Sequence, residues 1–538
     1  MPPRRRKKSK SPATHSNTKA PSSTPSPSAW YFTQRISWFF RYPLRRSVLL
    51  ILYLFELLVV PFRKIGCCSR NWNAKHAESV AIDVYIAYQE TKSTAQEKER
   101  LQLLFDTHTK HRSSLLTILP ELWNWFPAGR MVYDMSIVPA LRNKLALLDY
   151  FYQDEDVDID MDMDMDINTT QTKKKSKGST DLKDLINVEI PPTIWIVGLP
   201  RTGSTYFHSL LALDEEHIQT YKQWELRAPV ASRAARRSPE TKDFRQKKAE
   251  AAEWLYRIIF APLLNIHYVT SNQVDECVQG FVEGTLSEYY LWGCCKMPNA
   301  YDWYVNQTDA KTQYEFFKRS IAVPFAKDFL LEKGLEQEQE RINNVDAIVL
   351  KAPHHSVKLC TIADVFDTPV FVWLHRNLDN VVGSTCSMNG TINDCISSSC
   401  ETKTCLGART LNALAMSMNK AVDDRQKIEA QQNHITFVDI FHTELRSDPV
   451  NAVKQVYAAS NINISETFIE KINIDTQERN EKRKQSQQKK KNGSQHHYNL
   501  AEFGLTSEDV EVAFKKYIDM REKIKKKQRN TMSQRHGD

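Results

Sequence analysis

Short apolar runs alternate with helix-like segments along the second half of the chain. The runs at 194–197 (IWIV), 347–351 (AIVLK) and 369–374 (PVFVWL) read as buried strands, and helical spacing of apolar residues predicts helices at 231–257, 274–297 and 357–366. This alternation predicts an α/β fold, a three-layer, doubly wound parallel sheet. Ligands of such sheets bind beyond the carboxyl ends of the strands. We therefore expect functional side chains just after the apolar runs.

Outside these runs the hydrophobic pattern and the composition change, and the changes divide the chain into six segments. In chain order they are a disordered basic tail (1–46), a transmembrane or membrane-associated helix (47–62), a helical module (75–152), a low-complexity acidic and basic insertion (153–182), the α/β domain (190–525) and a second basic tail (526–538). The chain is long enough for one large α/β domain with appendages.

Residues 47–62 (SVLLILYLFELLVVPF) form an apolar run that only Glu56 interrupts. As a helix the run would extend about 24 Å, short of a ~30 Å hydrocarbon core but adequate for a thinner early-secretory bilayer. We favour a single span, although a helix in the membrane interface or a buried helix has the same pattern. The basic N-terminus favours a single-pass protein of the Golgi or secretory pathway with a lumenal catalytic domain. An acylated Cys67–Cys68 pair would argue for the opposite orientation.

The net charge of +8 comes with basic clusters near both ends of the chain. Neither cluster is interleaved with aromatic residues, so we expect solvated tails and no nucleic-acid binding. Cys386, Cys395, Cys400 and Cys405 predict a disulfide-stapled loop in an oxidising lumen. Their spacing differs from that of common zinc sites. Several N-x-[ST] glycosylation acceptors agree with the lumenal placement.

The first apolar run leads through a glycine-containing loop into a helix. Backbone N–H groups of such a loop, together with the positive end of the helix, bind anions. Against the nucleotide-hydrolase pattern G-x-x-x-x-G-K-[ST], Gly198, Gly203 and Thr205 match, but Ser204 takes the position of the lysine. Arg201 lies inside the loop instead, and its planar guanidinium suits a shorter phosphate-like group. An ordinary turn between a strand and a helix remains the alternative.

The loop and the block at 349–384 together resemble the sulfotransferases that use 3′-phosphoadenosine 5′-phosphosulfate (PAPS). The block contains LK-x-P-x-H and then H-R-N-x-x-x-x-V-x-S, and residues 497–505 resemble the closing motif of the bacterial-type group. The resemblance extends from about 130 to 524, as in a membrane-anchored eukaryotic-like member. It implies PAPS as co-substrate, no metal, and two sets of donor-binding residues: Arg201, Thr202, Gly203, Ser204 and Thr205 in a P-loop-type 5′-phosphosulfate loop, and Arg376 and Ser384 at the 3′-phosphate.

Sulfuryl transfer to a hydroxyl needs a base, cations that stabilise the charge on the bridging oxygen, and in-line positioning. The resemblance implies that Glu225 is the base, in the loop or strand edge where the second strand ends, and that Lys351 and Arg201 contact the transferring group. Glu225 has the alternative of a solvated or helix-capping carboxylate. The rival bases are Glu276, His267, His354 and His355.

We expect the acceptor to be a hydroxyl (or amine) of a glycan, a lipid or a small molecule, bound by the segments 224–229, 267–277 and 386–405. A kinase-like P-loop phosphotransferase is an alternative, which the missing loop lysine and the absence of an aspartate-ended metal strand disfavour. A second alternative is a catalytically inactive scaffold that keeps the nucleotide fold to bind partners.

Overall fold

A computed structural model describes residues 189–230, 244–259, 261–265, 270–281, 301–307, 310–325, 336–396, 401–431, 434–489 and 499–535. The segments predicted at 1–46, 47–62, 75–152 and 153–182 lie outside these residues. Among the helices within the described ranges, none combines the length and the apolar character that crossing a membrane requires. The predictions of a membrane span, an orientation and a compartment therefore stay predictions from the sequence.

Five parallel strands form one sheet in the order β2-β3-β1-β4-β5. The strands are β1 (Thr193–Val197), β2 (Ile218–Gln219), β3 (Ala347–Lys351), β4 (Val370–His375) and β5 (Thr436–Phe441). The central strand β1 has Trp195 in register with Leu350 of β3 and with Phe371 of β4. The prediction of an α/β fold with a parallel sheet is confirmed.

Helices connect the strands and cover the sheet. They are α1 (Ser204–Leu211), α2 (Gln223–Arg227), α3 (Arg245–Ile259), α4 (Lys311–Ala322), α5 (Glu336–Asn343), α6 (Leu359–Val365), α7 (Leu378–Ile396), α8 (Lys403–Gln431), α9 (His442–Ser447), α10 (Pro449–Ala459), α11 (Glu466–Lys489), α12 (Ser507–Ala513) and α13 (Lys515–Arg535). Short 3-10 turns lie at Leu263–Asn265, Cys277–Gln279, Val323–Phe325, Pro353–Lys358 and Leu500–Phe503, and a π-helical turn lies at Trp303–Gln307.

Helices cover both faces of the sheet, so the side chains of the central strands, which point alternately to the two faces, are all buried. Trp195 and Trp373 join a large apolar core with residues of α4, α6, α7 and α8. Ile194 and Ile196 face the other way and pack with α1, α10 and α11. Full burial of one such side chain contributes about 1.5–3 kcal/mol relative to exposure. This double burial explains why the strands read as continuous apolar runs.

Gly407 of α8 lets that helix approach the turn at Leu500–Phe503. A Cβ added at Gly407 would overlap the carbonyl oxygen of Phe503, which is backbone and cannot rotate away. Gly407→Ala is therefore expected to lower the free energy of unfolding by about 1–3 kcal/mol, measured by urea denaturation. Gly390→Ala in α7 is the matched control. Its Cβ would meet the end of the Leu406 side chain at 3.0 Å, and we expect a change within about 1 kcal/mol. Equal effects of the two substitutions would contradict this packing.

The helix predicted over 274–297 is not formed in the part that the structure describes. Val274 instead makes an antiparallel bridge with Lys222, and the Asp275 N–H donates to the carbonyl of Tyr221 at 3.3 Å. These bonds go to another segment, so the backbone cannot also make helical bonds. The prediction is wrong here because the segment is held by a distant part of the chain.

The predicted disulfide-stapled loop is wrong for the cysteines whose side chains are described. Cys386 lies buried in α7 and Cys405 lies exposed in α8, and both are free thiols. Burial raises the pKa of Cys386 to about 12. The region is helical because its apolar residues pack against the sheet. The side chains of Cys395 and Cys400 lie outside the described residues.

The last helix, α13, continues past the domain boundary predicted at 525. Gln528 Nε2 donates to the carbonyl of Asp439 at 3.1 Å, and Lys525 Nζ lies 5.6 Å from the centroid of the Phe441 ring. Part of the predicted basic tail therefore packs against the carboxyl end of β5.

Candidate functional site

The loop between β1 and α1 has an unusual backbone. Gly198 and Gly203 have φ angles of 115° and 100°, and Arg201 has a φ of 66°. The left-handed conformation costs a residue with a Cβ roughly 1–2 kcal/mol, so the fold strains the backbone at Arg201. Gly203 is the N-cap of α1 and makes no side-chain cap. The N–H groups of the first turn are thus left for an anion.

Neighbouring side chains hold this loop in place. Ser356 accepts a hydrogen bond from the Gly198 N–H (2.8 Å) and donates one to the Gly198 carbonyl (3.2 Å). Thr202 is buried and donates to the carbonyl of Leu199 at 2.8 Å. Ser204 is the first residue of α1. The loop is therefore shaped before any ligand binds.

Arg201, Arg376 and Ser384 meet at the carboxyl ends of β1 and β4. Arg201 Nε donates to Ser384 Oγ at 3.0 Å, and Arg376 Nη1 donates to the Arg201 carbonyl at 2.6 Å. Ser384 is 3% exposed and lies in the second turn of α7. Two guanidinium groups, a hydroxyl and a helix N-terminus thus converge. Such a set of donors and charges binds anions.

Lys351 ends β3 and points at the same helix N-terminus. Its side chain is 2% exposed, and Nζ donates to Glu276 Oε1 at 2.7 Å and to Thr205 Oγ1 at 3.2 Å. The Lys351 N–H also donates to Cys277 Sγ at 3.2 Å. The structure therefore brings Lys351 to the phosphate loop, as the positions of the strand ends predict.

Glu225 lies in the short helix α2 and not at a strand edge. Its Oε2 accepts the backbone N–H of Lys222 at 2.6 Å, so it caps the start of its own helix. Burial raises the pKa of Glu225, although the Lys222 N–H and nearby cations, Arg245 and Arg341 among them, lower it in part. A carboxylate with a raised pKa is a stronger base than an exposed one.

The segment that carries Glu225 pairs with the segment that carries Glu276. The backbone N–H of Trp224 donates to the carbonyl of Ser271 at 3.2 Å, next to the bridge at Lys222 described above. Both candidate carboxylates are therefore held on one small substructure beside the loop.

Comparison with known proteins decides the family. The model of the sulfotransferase family matches residues 192–466, which is just over half of the chain. The chain belongs to the sulfotransferase family. The matched range includes every predicted site residue.

Two mycobacterial sulfotransferases of known structure resemble this family member. STF9 from Mycobacterium avium is 16% identical, with a TM-score of 0.51 over 76% of this chain and 91% of its own. STF1 from Mycobacterium tuberculosis H37Rv is 19% identical, with a TM-score of 0.51 over 78% of this chain and 98% of its own. At these identities the likeness concerns the fold alone. A search of curated protein sequences found no match.

The rival histidine bases of this sulfotransferase lie in different surroundings. His354 and His355 are fully buried among the aromatic side chains of the large core. Burial lowers the pKa of His354 to about 3 and that of His355 well below its usual value. The Tyr314 hydroxyl lies 2.8 Å from His355 Nδ1. Both are neutral core residues, and His267 lies outside the described residues.

A buried network behind Arg376 was not predicted from the sequence. His375 Nε2 donates to Asp439 Oδ1 at 2.8 Å, and the Tyr517 hydroxyl donates to His375 Nδ1 at 2.7 Å, because an ionised carboxylate can only accept. Arg425 binds both oxygens of Asp439 at 2.7 and 2.8 Å. The signal was an aspartate in the middle of the apolar stretch TFVDIF. The network fixes the end of β4, where Arg376 begins.

A metal site is not evident within the described ranges. No group of three or more histidine, cysteine, aspartate or glutamate side chains there could hold an ion.

Proposed function

We propose that this protein transfers the sulfuryl group of PAPS to a hydroxyl of a glycan, lipid or small-molecule acceptor. The contact between Arg201 and Ser384 carries the proposal, because it joins the phosphate loop to the helix after H-R-N in one cluster. Membership in the sulfotransferase family supports the reaction class.

The residues fit the two anionic ends of PAPS. The loop from Arg201 to Thr205, with the N-terminus of α1, suits the 5′-phosphosulfate. Arg376 and Ser384, one strand away, suit the 3′-phosphate. Arg201 makes no ion pair with a carboxylate of the described residues, which leaves its charge for a ligand. Ser204 in place of a loop lysine disfavours a nucleoside triphosphate.

In the proposed reaction, Glu225 takes the proton of the acceptor hydroxyl as its oxygen attacks sulfur. The bond between sulfur and the oxygen of the 5′-phosphate breaks, and that oxygen leaves with its electron pair. Lys351 and Arg201 stabilise the negative charge that builds on it. The products are a sulfate ester and 3′,5′-ADP, and the chain's own cations carry the charge of the transition state.

The place of the reaction in the cell belongs to the same proposal. The apolar run at 47–62 would anchor the protein, and the basic N-terminus favours a lumenal catalytic domain in the secretory pathway. The acceptor in this proposal is a hydroxyl-bearing compound.

Donor binding tests the proposal with the full-length protein in a thermal shift assay. We expect 3′,5′-ADP to stabilise the fold by about 2.7 kcal/mol at 100 times its Kd, and ATP with Mg²⁺ not to do so. Arg376→Ala removes charge-assisted hydrogen bonds worth about 1.5–3 kcal/mol and should weaken 3′,5′-ADP about 10- to 150-fold. Arg483→Ala, an exposed arginine on α11, is the control. Stabilisation by ATP only, or by neither nucleotide, would contradict the proposal.

A further inference from the structure

The ion pair between Lys351 and Glu276 is buried, and stability does not explain it well. Both residues are at most 9% exposed, and Nζ and Oε1 are 2.7 Å apart. Desolvating two charges costs several kcal/mol per ion, so a buried pair often stabilises a fold no better than apolar residues of the same size. A pair placed beside a phosphate loop calls for a functional explanation.

The hydrogen bonds of Lys351 leave one donor for a ligand. An ammonium group donates three hydrogen bonds. Nζ gives one to Glu276 Oε1 and one to Thr205 Oγ1, and it makes no other within the described residues. Thr205 is the second residue of α1, so the ammonium group lies at the N-terminus of that helix.

Glu276 is well placed to hold this ammonium still. Its own N–H donates to Asp275 Oδ1 at 2.7 Å, and its backbone is extended just before the turn at Cys277–Gln279. The Asp275 N–H in turn donates to the carbonyl of Tyr221. The carboxylate therefore sits on a segment tied to the start of α2.

Two further titratable neighbours of Lys351, His208 and Cys277, are neutral. Burial, and then the charge of Lys351, lower the pKa of His208 to about 3. Burial raises the pKa of the Cys277 thiol to about 12. Among the described residues, Glu276 is the carboxylate that pairs directly with Lys351.

We propose that Glu276 is a positioning residue that holds the Lys351 ammonium against Thr205, where its third N–H meets the oxygen that leaves from the donor's 5′-phosphate. The inference rests on the proposed sulfotransfer but is separate from the choice of base. Glu225 takes the proton, and Glu276 acts through Lys351.

The charge of Glu276 predicts a split between binding and turnover. A carboxylate beside an anion site opposes the bound anion, so removing it should leave donor binding as tight or tighter. The same change frees the Lys351 side chain, and a poorly held cation stabilises the leaving oxygen less. Turnover should therefore fall without a loss of affinity.

The test uses three full-length variants, Glu276→Ala, Glu276→Gln and the control Glu478→Gln. Glu478 is an exposed carboxylate of α11 that also pairs with a lysine, Lys482, and it lies outside the predicted site segments. Turnover is the release of 3′,5′-ADP from PAPS, with water or a panel of hydroxyl compounds as acceptors. Affinity is the Kd of 3′,5′-ADP by calorimetry, and circular dichroism checks the fold.

We expect Glu276→Ala to lower kcat about 10- to 100-fold with an unchanged or smaller Kd. Glu276→Gln keeps an oxygen that can accept from Lys351, so its kcat should be at least threefold higher than that of Glu276→Ala. The control Glu478→Gln should match the wild type. An unchanged kcat in Glu276→Ala overturns the inference, as does a Kd weakened tenfold. A glutamine variant as inactive as the alanine variant also overturns it, since that marks Glu276 as the base. A wild type that binds no 3′,5′-ADP would instead contradict the proposed function itself.

Discussion

Replacing Glu225 by glutamine is expected to lower kcat by about 10²–10⁴-fold while 3′,5′-ADP still binds. Glutamine has nearly the same shape and can still accept the N–H of Lys222, so α2 should keep its cap. It cannot take a proton at neutral pH. The raised pKa of Glu225, caused first by burial, makes the carboxylate a stronger base than an exposed glutamate, which is why a large loss is expected.

Release of 3′,5′-ADP from PAPS measures this effect, with Glu216→Gln, an exposed glutamate after α1, as the matched control. The control should keep the wild-type kcat. A thermal shift with 3′,5′-ADP must be the same for Glu225→Gln and the wild type, since the substitution lies outside the donor-binding residues. A fall in kcat of less than threefold would show that another group takes the proton.

The largest expected effect on stability belongs to Asp439→Asn. Asp439 is bound through both oxygens by Arg425 and through one by His375, and its side chain is 8% exposed. An asparagine would leave the buried guanidinium with the half-exposed Glu429 as its remaining counter-charge among the described residues. Removing one partner of a buried pair typically costs about 3–5 kcal/mol, and we expect a loss of that size in the free energy of unfolding.

The pH dependence of this loss has a definite sign. Burial alone would raise the pKa of Asp439, but hydrogen bonds from Arg425 and His375 outweigh it and lower the pKa from 3.8 to about 2. A carboxyl whose pKa is lowered by folding stabilises the fold above its ordinary pKa, and this contribution is lost as pH falls towards the folded value. The difference between wild type and Asp439→Asn should therefore be full above pH 4 and shrink between pH 4 and pH 2.

Urea denaturation followed by tryptophan fluorescence measures this difference, because Trp373 lies beside the Arg425 guanidinium. Asp448→Asn is the control, since Asp448 is an exposed N-cap of α10 and asparagine caps a helix equally well. We expect the control to change stability by less than about 0.5 kcal/mol. A loss in Asp439→Asn that does not depend on pH would contradict the ion-pair explanation.

The sequence predicted the part of the fold that is buried on both faces. β1, β3 and β4 are largely continuous apolar runs because helices bury both faces of the sheet at these strands. β5 was not predicted, because Asp439 interrupts its apolar pattern. Asp439 is tolerated in the strand because it binds His375 and Arg425. β2 has two residues, which is too short for any periodicity.

The site residues divide in the same way, into those on predictable strands and those on irregular segments. Arg201 and Arg376 follow predicted parallel strands and Lys351 ends one, so their convergence could be expected from topology. The bond between Lys351 and Glu276 could not, because Glu276 lies in an irregular segment that is shaped by pairing with a distant one. An irregular segment has no hydrophobic periodicity from which its packing partners could be predicted.

The strand order of the sheet bears on the synthesis of the protein. β1 is central, but its partners β3 and β4 begin only at Ala347 and Val370, so the loop after β1 is made long before the strands that complete it. Pairing across such long stretches of chain is slow, and a nascent chain that ends before Ser384 lacks Arg201's hydrogen-bond partner. A ligand that binds only the finished cluster stabilises only the finished fold. The nucleotide available in its compartment would then influence how much of the newly made protein reaches its native state.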